Sequence, residues 1–107
     1  MRVMRAAAAF AAGVPRVIVC AGFQGQFALD DAYCAGRIVE LLGGEVTDAA
    51  KASAILARSF STAHEALLAR TYGPPGLEED IKFCAQEDVI DVVPRFTRMV
   101  DSAAEVK

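Results

Sequence analysis

Between Val17 and Gly44 the chain reads as an apolar run, a glycine-punctuated loop and an amphipathic helix, an order that constrains the fold more than any other stretch. Val17, Ile18, Val19, Cys20 and Ala21 have no polar residue among them. Such a β-branched run without alternation predicts a strand covered on both faces, as in a parallel sheet flanked by helices. Gly22-Phe23-Gln24-Gly25-Gln26-Phe27 then forms a loop, and Asp30-Asp31 opens a helix. Leu29, Ala32, Tyr33, Gly36 and Val39 recur at helical spacing and lay down one apolar stripe. Gly43-Gly44 ends it, because glycine accepts the left-handed conformation of a helix C-terminus. The expected fold class is α/β: a partial three-layer α/β/α sandwich with few, mostly parallel strands. Residues 1–107 are expected to form a single domain of ordinary size.

Strand, loop and helix N-terminus together make the place where open α/β folds seat their ligands. Gly22 and Gly25 allow backbone N–H groups to approach a ligand without interference from a Cβ. Gly22, Gln24 and Gly25 are therefore the candidate phosphate cradle. Asp30 and Asp31 have two readings. They cap the helix and complement its dipole, or one of them faces a divalent cation, since Mg²⁺ takes one or two carboxylates plus substrate oxygens. Spacing alone leaves both open. The loop is no nucleotide fingerprint, because a third glycine is lacking and no Gly-Lys-Ser/Thr follows.

Two blocks resemble a known family. CAGFQGQFALDDAYCAGRIVELL (Cys20 to Leu42) and GLEEDIKFCAQEDVIDVVP (Gly76 to Pro94) are similar to the signature blocks in the C-terminal half of the 2-phosphosulfolactate phosphatases. The likeness lies in Cys20, Gly22, Gly25, Asp31, Cys34-Ala35-Gly36, Glu79-Asp80, Cys84-Ala85, Asp88 and Val93-Pro94. It implies Mg²⁺-dependent hydrolysis of (R)-2-phospho-3-sulfolactate to 3-sulfolactate and phosphate, a step toward coenzyme M. On this reading Asp31, with Asp30 beside it, faces the metal. Asp31 and Arg37 are the catalytic candidates, Arg37 as a phosphate clamp two turns into the helix. Full members also carry an Asp-x-x-Arg and a Thr-Thr-Asn-Gly-Thr element, and neither occurs here.

The remainder of the chain supplies few strands. Met1 to Pro15 has the look of a leader, but a helix over Val3–Ala12 ended by Gly13 and Pro15 is the preferred expectation. Thr47 or Asp48 caps a second helix through about Arg58, and Thr62 with Glu65 has the spacing of a capping box. His64 falls in that helix's first turn as an exposed residue. Leu77 to Gln86 predicts a short helix burying Leu77, Ile81, Cys84 and Ala85, with Glu79 and Asp80 solvated or facing the dipole. Val89 to Val93 is the second expected strand, stopped by Pro94, and Arg95, Arg98 and Met99 belong to a terminal helix or tail. Two parallel strands do not make a self-sufficient sheet. The expected partners are thus a small phosphorylated substrate and either further copies of the chain or a missing N-terminal half. A catalytically inactive fragment that only pairs or binds is the alternative.

Charge and cysteine usage narrow the class further. A net charge of −3 with 23% charged residues argues against nucleic acid. No uncharged apolar run reaches membrane-spanning length. Cys20, Cys34 and Cys84 form no CxxC, which predicts reduced, buried thiols and a cytoplasmic address. Cys84 is disfavoured as a nucleophile because the sole histidine, His64, is distant in sequence.

Overall fold

Local signals set the helix ends. The computed structural model describes residues 1–2, 4–11, 13–71 and 73–107, without the side chain of residue 10. In chain order α1 spans Met4–Ala11, α2 Leu29–Leu42, α3 Asp48–Arg58, α4 Ala63–Leu68 and α5 Glu78–Cys84. Strands β1 (Phe96–Val100) and β2 (Ala103–Val106) follow. The helix expected over Val3–Ala12 is present as α1, Val3 and Ala12 themselves lying outside the described residues. Helix α2 carries Asp30 and Asp31 in its first turn and ends at Gly43, whose φ is 64° and whose N–H donates to the Val39 carbonyl at 2.9 Å. Thr47 caps α3, its Oγ1 accepting from the Ala50 N–H at 3.3 Å. At α4 the Thr62 Oγ1 accepts from the Glu65 N–H at 3.1 Å, while the Glu65 carboxylate reaches back to the Ser61 N–H at 2.9 Å. This is the expected capping box, its return bond displaced by one residue.

Helix α2 is the organising element and packs on α1, α3 and α4. Its stripe buries Ala32, Tyr33, Ala35 and Gly36. Tyr33 is the one large side chain fully buried among the described residues, at 1% exposure, amid Ala57, Ala63 and Ala66. Phe60 meets its ring edge-on, with centroids 5.9 Å apart, an arrangement favoured by the ring quadrupoles. Small residues let the backbones approach closely. A Cβ placed on Gly36 would stand 2.0 Å from the Ser53 carbonyl oxygen, so the α2–α3 crossing is closed to any side chain at that position.

The expected parallel strands are not formed. Among the described residues the only sheet is the antiparallel β1–β2 hairpin, so the chain is mixed α/β without the parallel sandwich. Residues 17–21 and 89–93 have no strand assignment. The reason is the lack of a ladder. Among the described residues none pairs with the backbone of 17–21, and without inter-strand hydrogen bonds β-branched residues cannot hold a sheet by propensity alone. Segment 88–90 instead lies beside the first residues of the chain, the Asp88 and Ile90 N–H groups donating to the Met1 and Arg2 carbonyls at 3.4 and 3.0 Å. The Arg5 backbone N–H and guanidinium grip the Asp88 carboxylate at 2.7 and 3.1 Å.

The expected terminal helix or tail is instead the hairpin. Asp101, at φ 54°, sits in its tight turn, where positive φ matches the twist of the strands. Arg95 and Lys107 exchange both backbone bonds at its open end, at 2.8 and 3.0 Å. Glu105 pairs with Arg98 across the ladder at 3.1 Å and accepts from the Thr97 hydroxyl at 2.7 Å.

The core does not cover its own apolar surface. Val17 and Val19 are 87% and 85% exposed. The accessible area is 7628 Å² for 11.3 kDa, against roughly 5,700 Å² expected of a folded monomer that size.

Candidate functional site

The glycine loop is a locked turn. Gln24 and Gly25 both have positive φ, 50° and 75°, as a type I′ turn requires. The Phe23 N–H donates to the Gln26 carbonyl at 3.0 Å and the Gln26 N–H to the Phe23 carbonyl at 2.9 Å. Gly22 is obligatory: at φ +71° a Cβ would lie 2.6 Å from the Gln26 carbonyl oxygen. Its own N–H donates to Asp31 Oδ2 at 2.7 Å, so the α2 carboxylate reaches back nine residues to fix the turn. The N–H groups of Gly22, Phe23 and Gln26 are thus satisfied within the chain. Asp30 caps locally, Oδ1 accepting from the Asp31 N–H at 3.1 Å.

Across from this turn runs the connection from α4 to α5, and between them lies a cleft of roughly 560 Å³. Its polar walls are Gln26, Asp30, Asp31, Arg70 and Thr71, with Gly22 at the turn. Arg70 is held in place from both sides. Its Nη1 donates to the Leu67 carbonyl at 3.0 Å, meeting a C-terminal carbonyl of α4, and a Cβ at Gly73 would come within 3.0 Å of its Nε. Two carboxylates and one guanidinium therefore border one cleft at the N-terminus of a 14-residue helix. Sequence reasoning passed over Arg70, because an arginine after an alanine-rich helix carries no local mark of its use.

The other candidates fall elsewhere. Gln24 and Gly25 form the turn but not the cleft wall. Arg37 does not border the cleft either. Its Nη1 binds Glu87 at 2.6 Å and the Tyr33 hydroxyl at 3.0 Å, and its Nε lies 4.0 Å from Glu40. Burial lowers the affinity of this guanidinium for its proton, but the Tyr33 and Glu87 contacts outweigh that and the net shift is upward. His64, Glu79 and Asp80 are exposed in the first turns of α4 and α5. Cys20 and Cys84 are exposed and Cys34 half-buried, contrary to the expected burial, because the segments beside Cys20 and Cys84 are uncovered. Desolvation first, then the Asp31 charge, raises the Cys20 thiol above 9.0. Cys34 is raised as well, by desolvation above all; the chain's ammonium terminus opposes this, and Asp31 adds to it. Neither thiol is set up as a thiolate nucleophile.

As a metal donor set, Asp30 and Asp31 offer hard oxygen ligands on a cleft whose wall is otherwise largely apolar, with Phe23, Phe27, Leu29, Pro74 and Leu77 in it, and one oxygen of each already accepts a backbone N–H. Among the described residues no group of three His, Cys, Asp or Glu side chains converges. An ion here would draw its remaining ligands from substrate and water, the usual manner for Mg²⁺.

The family model for 2-phosphosulpholactate phosphatase matches residues 2–99. A probable 2-phosphosulfolactate phosphatase of Gloeobacter violaceus is 40% identical over 85 residues, covering 75% of this chain and 36% of that relative. The 2-phosphosulfolactate phosphatase of Methanothermobacter thermautotrophicus is 31% identical over 81 residues, 72% of this chain and 36% of that protein. A Thermus thermophilus relative is 40% identical, again over 72% and 36%. The family model thus extends over nearly the whole chain, the relatives over about three quarters of it and little more than a third of their own length, and by these matches this chain belongs to the 2-phosphosulfolactate phosphatase family.

Proposed function

We propose that the chain contributes one wall of a phosphomonoester hydrolase site. Its substrate would be (R)-2-phospho-3-sulfolactate, released as 3-sulfolactate and phosphate on the route to coenzyme M, in the reducing interior of the cell where three free cysteines are at ease. The observation that carries this reading is the meeting of Asp30, Asp31 and Arg70 across one cleft beside the locked glycine turn. Phosphoryl transfer asks a protein for positioning and for charge stabilisation. Asp31, with Asp30 beside it, would hold Mg²⁺, whose Lewis acidity would supply charge stabilisation at the phosphoryl group. Arg70 is the cation placed to meet the substrate's anionic groups, a task for which its planar fork is suited. Arg37, bound to Glu87 and Tyr33, holds α2 against residue 87 instead. The turn would border the phosphate through Gly22, Phe23 and Gln26, whose N–H groups are engaged within the chain, and not through Gln24 or Gly25.

The chain spans about 36% of the relatives it matches; the remaining wall would come from a counterpart of the region it does not match. A second reading, a catalytically silent pairing module, is favoured by the uncovered apolar surface. Phosphate release from 2-phospho-3-sulfolactate with Mg²⁺, measured with and without the part of the Gloeobacter relative outside its matched region, separates the two. Release only in the mixture supports the hydrolase; none in either case supports the silent module. Asp31→Asn keeps an acceptor for the Gly22 N–H while removing the charge. It should abolish release without loosening the turn, and Arg70→Ala should cost about 100-fold. Full activity in both variants would overturn the assignment.

A further inference from the structure

Arg5, Arg37, Arg58 and Arg98 each end on a carboxylate, of Asp88, Glu87, Glu40 and Glu105 respectively. Arg70 does not. Among the described residues it lies in no ion pair, although Asp30 and Asp31 border the same cleft. Those two acids have backbone donors of their own, Gly22 N–H on Asp31 Oδ2 and Asp31 N–H on Asp30 Oδ1. Of the five N–H groups of a guanidinium, Arg70 gives one to the Leu67 carbonyl at 3.0 Å. Its charge is thus held at the cleft without being neutralised there.

What lets the guanidinium lie in this place is found further along the same connection. A Cβ on Gly73 would stand 3.0 Å from Nε, 3.2 Å from Nη2 and 3.5 Å from Cζ. A group stacked on the flat face would come as near to Cζ as to the nitrogens. This point is nearer both nitrogens than the carbon joining them, so it lies close to the guanidinium plane, off the Nε–Nη2 edge. That edge is a side by which arginine grips an oxyanion through two parallel N–H bonds. A side chain at position 73 would therefore press on two donors at once. The backbone also favours glycine, since φ +127° lies where side chains are rarely tolerated. Gly76 shares the positive φ, at +85°, but nothing lies within 4 Å of a Cβ placed there.

Resting on the reading that this cleft takes an anionic substrate, we propose that Gly73 is the positioning residue for Arg70. By keeping the Nε–Nη2 edge clear of a side chain, it allows the guanidinium to stay on the Leu67 carbonyl and turn its other donors to the ligand. The ligand group is a tetrahedral oxyanion, phosphate or sulfonate. Gly73 acts on it only through Arg70.

The test follows the Arg70 Nε–H signal in nitrogen–proton correlation spectra of the full chain, assigned by its loss in Arg70→Lys. Inorganic phosphate and methanesulfonate are titrated separately. The signal should move with at least one of them at about millimolar Kd, the stronger response naming the group that Arg70 holds. Gly73→Ala should weaken this response about tenfold or more, as the loss of charge-assisted hydrogen bonds does. Gly76→Ala, with positive φ but no crowding, should leave it unchanged. A signal indifferent to both anions at about 100 mM, a Gly73→Ala response equal to the parent's, or equal losses from Gly73→Ala and Gly76→Ala would each overturn the proposal. Phosphate release with the part of the Gloeobacter relative outside its matched region is scored apart. There Gly73→Ala should also lose about tenfold, and adding it to Arg70→Ala should cost nothing more, because both act through one guanidinium; a further loss in the double variant overturns the proposal. An anion response that depends on Gly73, without any release, leaves this proposal standing and removes the hydrolase. Release together with an anion response indifferent to Gly73→Ala does the reverse.

Discussion

Helices α2, α3 and α4 carry charged faces and the segment 17–21 has no polar residue, yet the helical region is closed and the apolar segment open. Around Tyr33 every contact is internal: Ala57, Ala63 and Ala66 surround the ring, Phe60 meets its edge, and Arg37 donates to its hydroxyl. Along 17–21 the residues are larger and more hydrophobic, but they face solvent. Hydrophobicity therefore does not decide which segment is buried. Helices satisfy their own backbones and need only a side-chain partner, whereas a strand needs a second backbone before it can be covered.

The sharpest way to break this contrast is to damage the closed region. Tyr33→Ala should cost about 3–5 kcal/mol, as large aromatic truncations do in cores, and abolish cooperative melting followed by far-ultraviolet dichroism. If the variant melts like the parent, the helical core is not what holds the chain. Gly36→Ala is expected to cost about 3 kcal/mol, since the new Cβ meets the Ser53 carbonyl and the two helices must separate. Tyr33→Phe, which removes only the bond from Arg37, should cost about 1 kcal/mol. In the open region Val17→Thr should change the stability of the isolated chain by less than about 0.5 kcal/mol; a larger loss would mean that 17–21 already has a cover.

The smallest effect concerns the thiol between the two regions. The folded chain holds the Cys34 proton above the ordinary thiol value of 9.0, chiefly by desolvation. Folded protein therefore binds more protons than unfolded above that pH, so this contribution to stability is present below 9.0 and is lost as pH rises past the folded value. Alkylation of Cys34 by iodoacetamide should accordingly rise later with pH than that of free cysteine. An earlier rise would show that the ammonium terminus outweighs burial.

The same contrast explains what could be read from the residues in advance. Thr47, Thr62 with Glu65, and Gly43 act through bonds within a few residues, and they mark helix ends where the sequence puts them. The glycine turn and acid-tipped α2 were equally legible, for the same reason. Val17–Ala21 and Val89–Val93 were misjudged because a strand forms only against a second backbone, and neither segment is joined to a sheet among the described residues. The hairpin was missed because its turn at Asp101-Ser102 lacks the glycine that usually announces one. Arg70 was missed because only the three-dimensional approach of the α4–α5 connection brings it to the cleft that Asp31 also lines.

Exposure of 17–21 bears on where the chain is cut. Unpaired, accessible backbone is what a protease must bind before it can cleave, and exposed connections are where nicking concentrates. Limited proteolysis should therefore nick this segment before it opens the helices packed around Tyr33.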